Sequence, residues 1–105
     1  MATTSIPYGK QSIDEEDIAS VVDVLKGEWL TGGPTIEAFE REFADAVDSA
    51  HAVACSSGTA ALHLAAMALE IGPSDKIVVP AVTFLASANA FLFEGAEIIF
   101  ADVNP

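Results

Sequence analysis

The sequence predicts an α/β fold in which two leading helices are followed by a β-α-β-α-β unit with parallel strands. The first half contains two amphipathic stretches whose apolar residues recur at helical spacing. The second half contains three short apolar runs, separated by segments with the composition of helices. Strands that alternate with helices of about 10–15 residues predict parallel neighbours joined by right-handed crossovers.

The first helix is predicted to begin at Ser12, because Ser12 and Glu15 have the spacing of a capping box. Gly27 is predicted to end this helix. Between the two lies one apolar stripe at positions i, i+3, i+4 and i+7, formed by Ile18, Val21, Val22 and Leu25.

A loop and a second helix follow. Residues 28–34 include two consecutive glycines and a proline, which predict a loop. Trp29 in this loop either lines a pocket or simply belongs to a turn. The second helix is predicted to run to about Asp48, with an apolar face made of Ile36, Phe39, Phe43 and Val47.

Three apolar runs predict strands over residues 51–55, 76–79 and 97–100. They lack alternation, which is typical of strands buried on both faces of a sheet. Helices are predicted between them over residues 59–69 and 83–93. A three-stranded parallel sheet leaves two unpaired edges. We therefore expect residues 1–105 to form a single partial domain.

Composition excludes several classes of function. Four Lys and Arg against sixteen Asp and Glu give a formal net charge of −12, which repels nucleic acids and anionic membrane surfaces. No apolar stretch is long enough to span a bilayer, and residues 1–10 lack the features of a signal peptide. The single Cys55 excludes an internal disulfide and is expected to be buried. These features favour a cytosolic protein.

The segment from Ser56 to Ala61 is a candidate phosphate site. It lies between a predicted strand and a helix N-terminus, where free N–H groups and the helix dipole favour an anion. Gly58 permits a close approach of the backbone, and Ser57 and Thr59 offer hydroxyl donors. The alternative interpretation is that Ser and Thr only cap the helix.

Other candidates are single residues. Phe84 follows the second predicted strand, where an aromatic ring could stack on a flat ligand, although periodicity favours a core side chain. His63 is better explained as a hydrogen-bonded interior histidine than as a catalytic base. The spacing of His51, Cys55 and His63 does not resemble a metal site.

Several segments together resemble the N-terminal part of the DegT/DnrJ/StrS sugar aminotransferases. The resemblance covers nearly the whole sequence and rests on Ile6-Pro7-Tyr8, residues 29–34, residues 56–63, residues 80–84 and the segment from Gly95 to Val103. It implies a pyridoxal 5'-phosphate (PLP) enzyme of the aspartate-aminotransferase fold, fold type I, that works as a homodimer. Such enzymes move an amino group from glutamate to a keto-sugar nucleotide.

The resemblance is greatest to the C4 aminotransferases of pseudaminic acid biosynthesis, which act on a UDP-4-keto-6-deoxy-N-acetylhexosamine. Carried over position by position, it implies that Phe84 stacks on the pyridine ring of the cofactor. It also implies that the cofactor phosphate is bound by Gly58, Thr59 and Ala60, and that the substrate side of the pocket is bordered by Thr31 and Gly32.

The catalytic lysine and the aspartate that pairs with the pyridine nitrogen lie in the family beyond the position of Pro105. We therefore identify no catalytic residue within this sequence, and Lys76 matches only a surface turn. The 105 residues are expected to be inactive alone. Two alternatives remain open, a small phosphate-binding module without chemistry and a truncated fragment that associates with itself.

Overall fold

The computed structural model describes residues 9–103, so the Ile6-Pro7-Tyr8 segment lies outside the described residues. The described residues fall into two compact units that divide between Ala52 and Val53. In chain order the elements are α1 (Glu15–Lys26), α2 (Pro34–Ala46), α3 (Gly58–Ala68), β1 (Lys76–Pro80), α4 (Ala86–Leu92) and β2 (Glu97–Ala101).

In the first unit, α1 begins later than the sequence predicts. The Asp14 carboxylate accepts hydrogen bonds from the backbone N–H groups of Glu16 at 2.9 Å and Asp17 at 3.0 Å. The Asp17 carboxylate accepts from the backbone N–H of Asp14 at 3.0 Å, which closes a capping box. The prediction that Ser12 caps this helix is wrong, because an ionised carboxylate is the stronger acceptor at a helix N-terminus.

The second helix confirms the amphipathic pattern of its sequence. Pro34 occupies the first turn of α2, where its missing N–H costs nothing. The rings of Phe39 and Phe43 lie 5.9 Å apart on one face of the helix. Beyond the helix end, Asp48 adopts a positive φ of 52°, which is a common way to end a helix.

The second unit contains the two strands, α4 packed on both strands and α3 packed on α4. β1 and β2 are parallel, with Lys76 opposite Glu97 and Pro80 opposite Ala101. α4 forms the crossover between them. The buried core of the second unit consists of five alanines and one valine, namely Ala66, Val79, Ala86, Ala88, Ala90 and Ala96. The predicted parallel pair is therefore confirmed.

Three expectations for this half of the sequence are wrong. Residues 51–55 form no strand, because a strand requires ladder hydrogen bonds and this segment pairs with neither β1 nor β2. The strands are not buried on both faces, since Val78 is 65% exposed in the described structure. Cys55 is exposed rather than buried.

The boundaries of the helices also differ from the prediction. α4 begins at Ala86 instead of Thr83 because the residues before it form a turn. α3 begins one residue early, at Gly58. In the part of the chain that the structure describes, every helix is too short or too polar to cross a membrane.

Candidate functional site

The second unit has an open pocket where the first turn of α3 faces the loop that leads into α4. The pocket has a volume of about 480 Å³ and is lined by Gly58, Thr59, Leu62, Phe84, Ala86 and Ser87. Three residues predicted to bind a cofactor, Gly58, Thr59 and Phe84, therefore line one pocket. They come from two segments that are far apart in the sequence.

The N-terminus of α3 presents two N–H groups that have no acceptor within residues 9–103. The Ser57 hydroxyl oxygen accepts from the N–H of Ala60 at 3.1 Å, so Ser57 caps the helix as the simpler interpretation holds. Among the described residues, the N–H groups of Gly58 and Thr59 have no hydrogen-bond partner. These two groups and the helix dipole attract an anion. The Ser57 hydroxyl hydrogen is not used in its bond to Ala60 and can also donate.

Gly58 is not required by the packing of the chain itself. A β-carbon at this position would have no atom within 4 Å, and its φ is not in the positive region. The space beside Gly58 is therefore open, and Gly58 lines the pocket. No contact among the described residues explains a glycine here.

Phe84 lies in the turn before α4, and its side chain is 73% exposed. The interpretation of Phe84 as a core residue is therefore wrong. Its carbonyl accepts from the N–H of Ser87 at 3.0 Å, and the hydroxyl groups of Thr83 and Ser87 hydrogen-bond at 3.0 Å. These bonds hold the turn that presents the ring to the pocket.

Thr31 and Gly32 belong to the first unit, where they are exposed in the loop before α2. Gly32 has a φ of +66°, a conformation that favours glycine. Trp29 in the same loop lines an open pocket of about 280 Å³ with residues of α1 and α2. The loop therefore both turns the chain and lines a pocket.

The remaining polar candidates of the sequence have other partners. The Nε2 atom of His63 lies 2.6 Å from a carboxylate oxygen of Glu94, which confirms the predicted hydrogen bond, but the side chain is half-buried rather than interior. The Cys55 thiol donates to the carbonyl of Ser57 at 3.3 Å. Within residues 9–103, no group of three His, Cys, Asp or Glu side chains could hold a metal ion.

Sequence reasoning missed Leu62, Ala86 and Ser87 as pocket residues. Leu62 is four residues after Gly58, so one turn of α3 places both on the same face. Ser87 could be predicted as a pocket residue only if the start of α4 were known, because Ser87 lines the pocket from the first turn of that helix. The helical spacing in α3 could have identified Leu62.

Comparison with known proteins identifies the family. The sequence pattern of the DegT/DnrJ/EryC1/StrS aminotransferase family matches residues 11–105. The chain belongs to this family. It is 42% identical over 99 residues to the spore coat polysaccharide biosynthesis protein SpsC of Bacillus subtilis, covering 94% of this chain and 25% of SpsC. It is 36% identical over 104 residues to the UDP-4-amino-4-deoxy-L-arabinose–oxoglutarate aminotransferase of Shewanella sediminis, covering 99% and 27% of the two proteins.

Solved structures of aminotransferases share the fold. The sugar aminotransferase Spr1654 of Streptococcus pneumoniae, in its PLP form, superposes with a TM-score of 0.83 at 36% identity, over 96% of this chain and 26% of Spr1654. The fold is therefore that of the PLP enzymes of fold type I. The chain spans about a quarter of the length of the relatives it matches.

The same fold also serves a different reaction. The E. coli GDP-4-keto-6-deoxy-D-mannose-3-dehydratase, solved with hydrated PLP, superposes with a TM-score of 0.82 at 26% identity, over 95% of this chain and 27% of the dehydratase. Fold and cofactor are therefore shared by aminotransferases and dehydratases of keto-sugar nucleotides.

Proposed function

We propose that this chain supplies the phosphate-binding turn and the ring-stacking face of a PLP-dependent sugar aminotransferase. The observation that carries the proposal is the single pocket lined by Gly58, Thr59 and Phe84. The amino group would pass from glutamate to the carbonyl carbon of a keto-sugar nucleotide.

The residues of the pocket fit PLP. Its phosphate would accept from the N–H groups of Gly58 and Thr59, which have no partner among the described residues. The N–H of Ala60 is already bound to Ser57, so a phosphate that reached Ala60 would compete with that cap. A phosphate that lies against Gly58 occupies the space that any larger side chain would fill.

Phe84 offers the flat surface that a pyridine ring requires. Its exposed ring can stack on the cofactor in an offset arrangement, which fixes the plane of the ring. When bound, PLP supplies an electron sink for chemistry at the amino-bearing carbon. The chain would hold PLP by the phosphate group of the cofactor and by one face of its pyridine ring. Thr31 and Gly32 would border the substrate.

The pocket contains no side-chain amine. Lys76, the lysine of the second unit, is paired with Glu97 at 3.2 Å and does not line the pocket. We propose that the reaction requires a lysine that is not among these 105 residues, so that they do not catalyse it alone.

We propose a UDP-4-keto-6-deoxy-N-acetylhexosamine as the amino acceptor, in the biosynthesis of pseudaminic acid or a related surface sugar. The support is the sequence of residues 29–34 and the similarity to an enzyme named for a UDP-4-amino sugar. The similarity to a spore coat polysaccharide protein agrees with a surface sugar as product. We also propose a homo-oligomer, because the paired strands leave two open edges within residues 9–103. We propose the cytosol as its compartment, because a single cysteine suits a reducing environment.

The cofactor site is tested by a matched pair of glycine variants. We expect G58A to fold normally and to bind PLP at least about tenfold more weakly, because the new methyl group occupies the place of the phosphate. G72A is the control, since a β-carbon at Gly72 would also meet nothing within 4 Å. Titration of PLP by its visible absorbance measures both affinities. Equal PLP affinities in the two variants would show that the phosphate of PLP does not bind beside Gly58.

The reaction is tested by product analysis in the polypeptide as its gene encodes it. Incubation with PLP, glutamate and the UDP-4-keto sugar should yield an amino sugar and 2-oxoglutarate in equal amounts. A 3-deoxy sugar without nitrogen would instead indicate a dehydratase, as the fold similarity allows. PLP binding without turnover of any keto sugar would favour the phosphate-binding module.

A further inference from the structure

α3 packs against α4, and every buried residue of the two helices is an alanine. Ala66 and Ala90 are completely buried, and Ala86 and Ala88 are nearly so. Helices normally fix their relative position by fitting ridges of side chains into grooves. Methyl groups form shallow ridges, so this contact permits close approach but holds the register of the two helices weakly.

One polar pair joins α3 to the turn that follows α4. The Nε2 atom of His63 in α3 lies 2.6 Å from the carboxylate of Glu94, which follows α4. The side chains are 36% and 26% exposed, so water screens the bond only in part. Within residues 9–103, no other side-chain hydrogen bond connects α3 with α4 or with the turn after it.

His63 also reaches the candidate site through Phe93. The two rings lie 5.2 Å apart at an angle of 59°. Phe93 lines a groove of about 190 Å³ together with Thr59 and Phe84. Thr59 lies four residues before His63, and one helical turn places both on the same face of α3.

We propose that His63 is a positioning residue for the cofactor site. Through its hydrogen bond to Glu94 and its contact with Phe93, it fixes the register of α3 against α4. That register sets the separation between Thr59, where the phosphate would bind, and Phe84, where the ring would stack. The proposal rests on the proposed function, because the distance matters only to a ligand that contacts both walls.

The hydrogen bond, rather than the bulk of His63, carries this role. Leucine at position 63 fills similar space but offers no donor, and it leaves the Glu94 carboxylate without its partner. Glutamine retains an N–H donor that can reach the same oxygen. H63L and H63Q therefore separate the directional bond from the volume of the side chain.

The experiment compares PLP affinity and thermal unfolding of the wild type, H63L and H63Q, in the polypeptide as its gene encodes it. We expect H63L to bind PLP about tenfold more weakly, within the range of coupling between contacting residues. H63Q should retain affinity within about threefold. The visible circular dichroism of bound PLP should weaken in H63L and persist in H63Q, because it reports the orientation of the ring.

A double-mutant cycle separates positioning from mere stability. If His63 acts by setting the distance to Phe84, H63L should have little further effect on PLP affinity in the F84A background. If the losses of PLP affinity from H63L and F84A add fully, the proposal is overturned. It is also overturned if H63L keeps the wild-type PLP affinity and only lowers the unfolding temperature. Absence of PLP binding in the wild type would instead overturn the proposed function.

Discussion

Gly33 lies directly against Trp29, so that a β-carbon on Gly33 would sit 3.0 Å from the β-carbon of Trp29. The φ of Gly33 is +89° and its ψ is −176°, a region that is essentially restricted to glycine. The N-cap residue of α2 therefore has two independent reasons to be glycine. Because the loop folds back in this way, the indole ring lies beside the start of α2.

The variant G33A is expected to lower the free energy of unfolding by about 1–3 kcal/mol, from backbone strain and from the contact with Trp29. G32A is the matched control, because Gly32 also has a positive φ but a β-carbon there would meet no atom within 4 Å. Urea unfolding measures both changes. A loss in G33A no larger than that in G32A would show that the contact with Trp29 contributes nothing.

The capping box of α1 gives a second prediction. D14A removes the acceptor of two backbone N–H groups and is expected to lower stability by about 1 kcal/mol. S12A should leave stability unchanged, because Ser12 does not cap the helix. Thermal unfolding followed by circular dichroism compares the two variants. A greater loss in S12A would place the N-cap at Ser12 after all.

These residues show what could be predicted from the sequence. Apolar spacing predicted α2 correctly because its stripe is regular and a proline and glycines mark its start. The predicted N-cap of α1 is wrong because Ser12 and Asp14 are both residue types that cap helices, and only Ser12 is followed by a glutamate at capping-box spacing, whereas the hydrogen bonds are made by Asp14. Local pattern cannot decide between two caps so close together.

Gly58, Thr59 and Phe84 were singled out from their positions beside predicted elements, and the structure brings them to one pocket, whereas Ala60 is not among its lining residues. Their binding of a cofactor stays a prediction. Their proximity depends on how α3 packs on α4, which is a tertiary property. The prediction of a strand at residues 51–55 is wrong for the same reason, because an apolar run becomes a strand only where a neighbouring strand offers hydrogen-bond partners.

The exposure of Phe84 leads to a third prediction. F84L should bind PLP about three- to tenfold more weakly, because leucine cannot stack on the pyridine ring. Its stability should remain near that of the wild type, since the ring is 73% exposed. F100L is the control, as Phe100 in β2 is 64% exposed and does not line the pocket. Fluorescence titration with PLP measures both affinities. Equal PLP affinities of F84L and F100L would contradict the prediction.

Lys76 leads to the last prediction. Its ammonium group lies 3.2 Å from the Glu97 carboxylate across the paired strands, and both side chains are mostly exposed. Exposed pairs of this kind contribute at most about 1 kcal/mol, so K76M should unfold at nearly the wild-type denaturant concentration. The second measurement uses the polypeptide as its gene encodes it, treated with PLP and then with borohydride. K76M should carry as much covalently bound PLP as the wild type, because Lys76 does not line the pocket. Mass spectrometry of the reduced protein measures this label, and its loss in K76M would make Lys76 the attachment site.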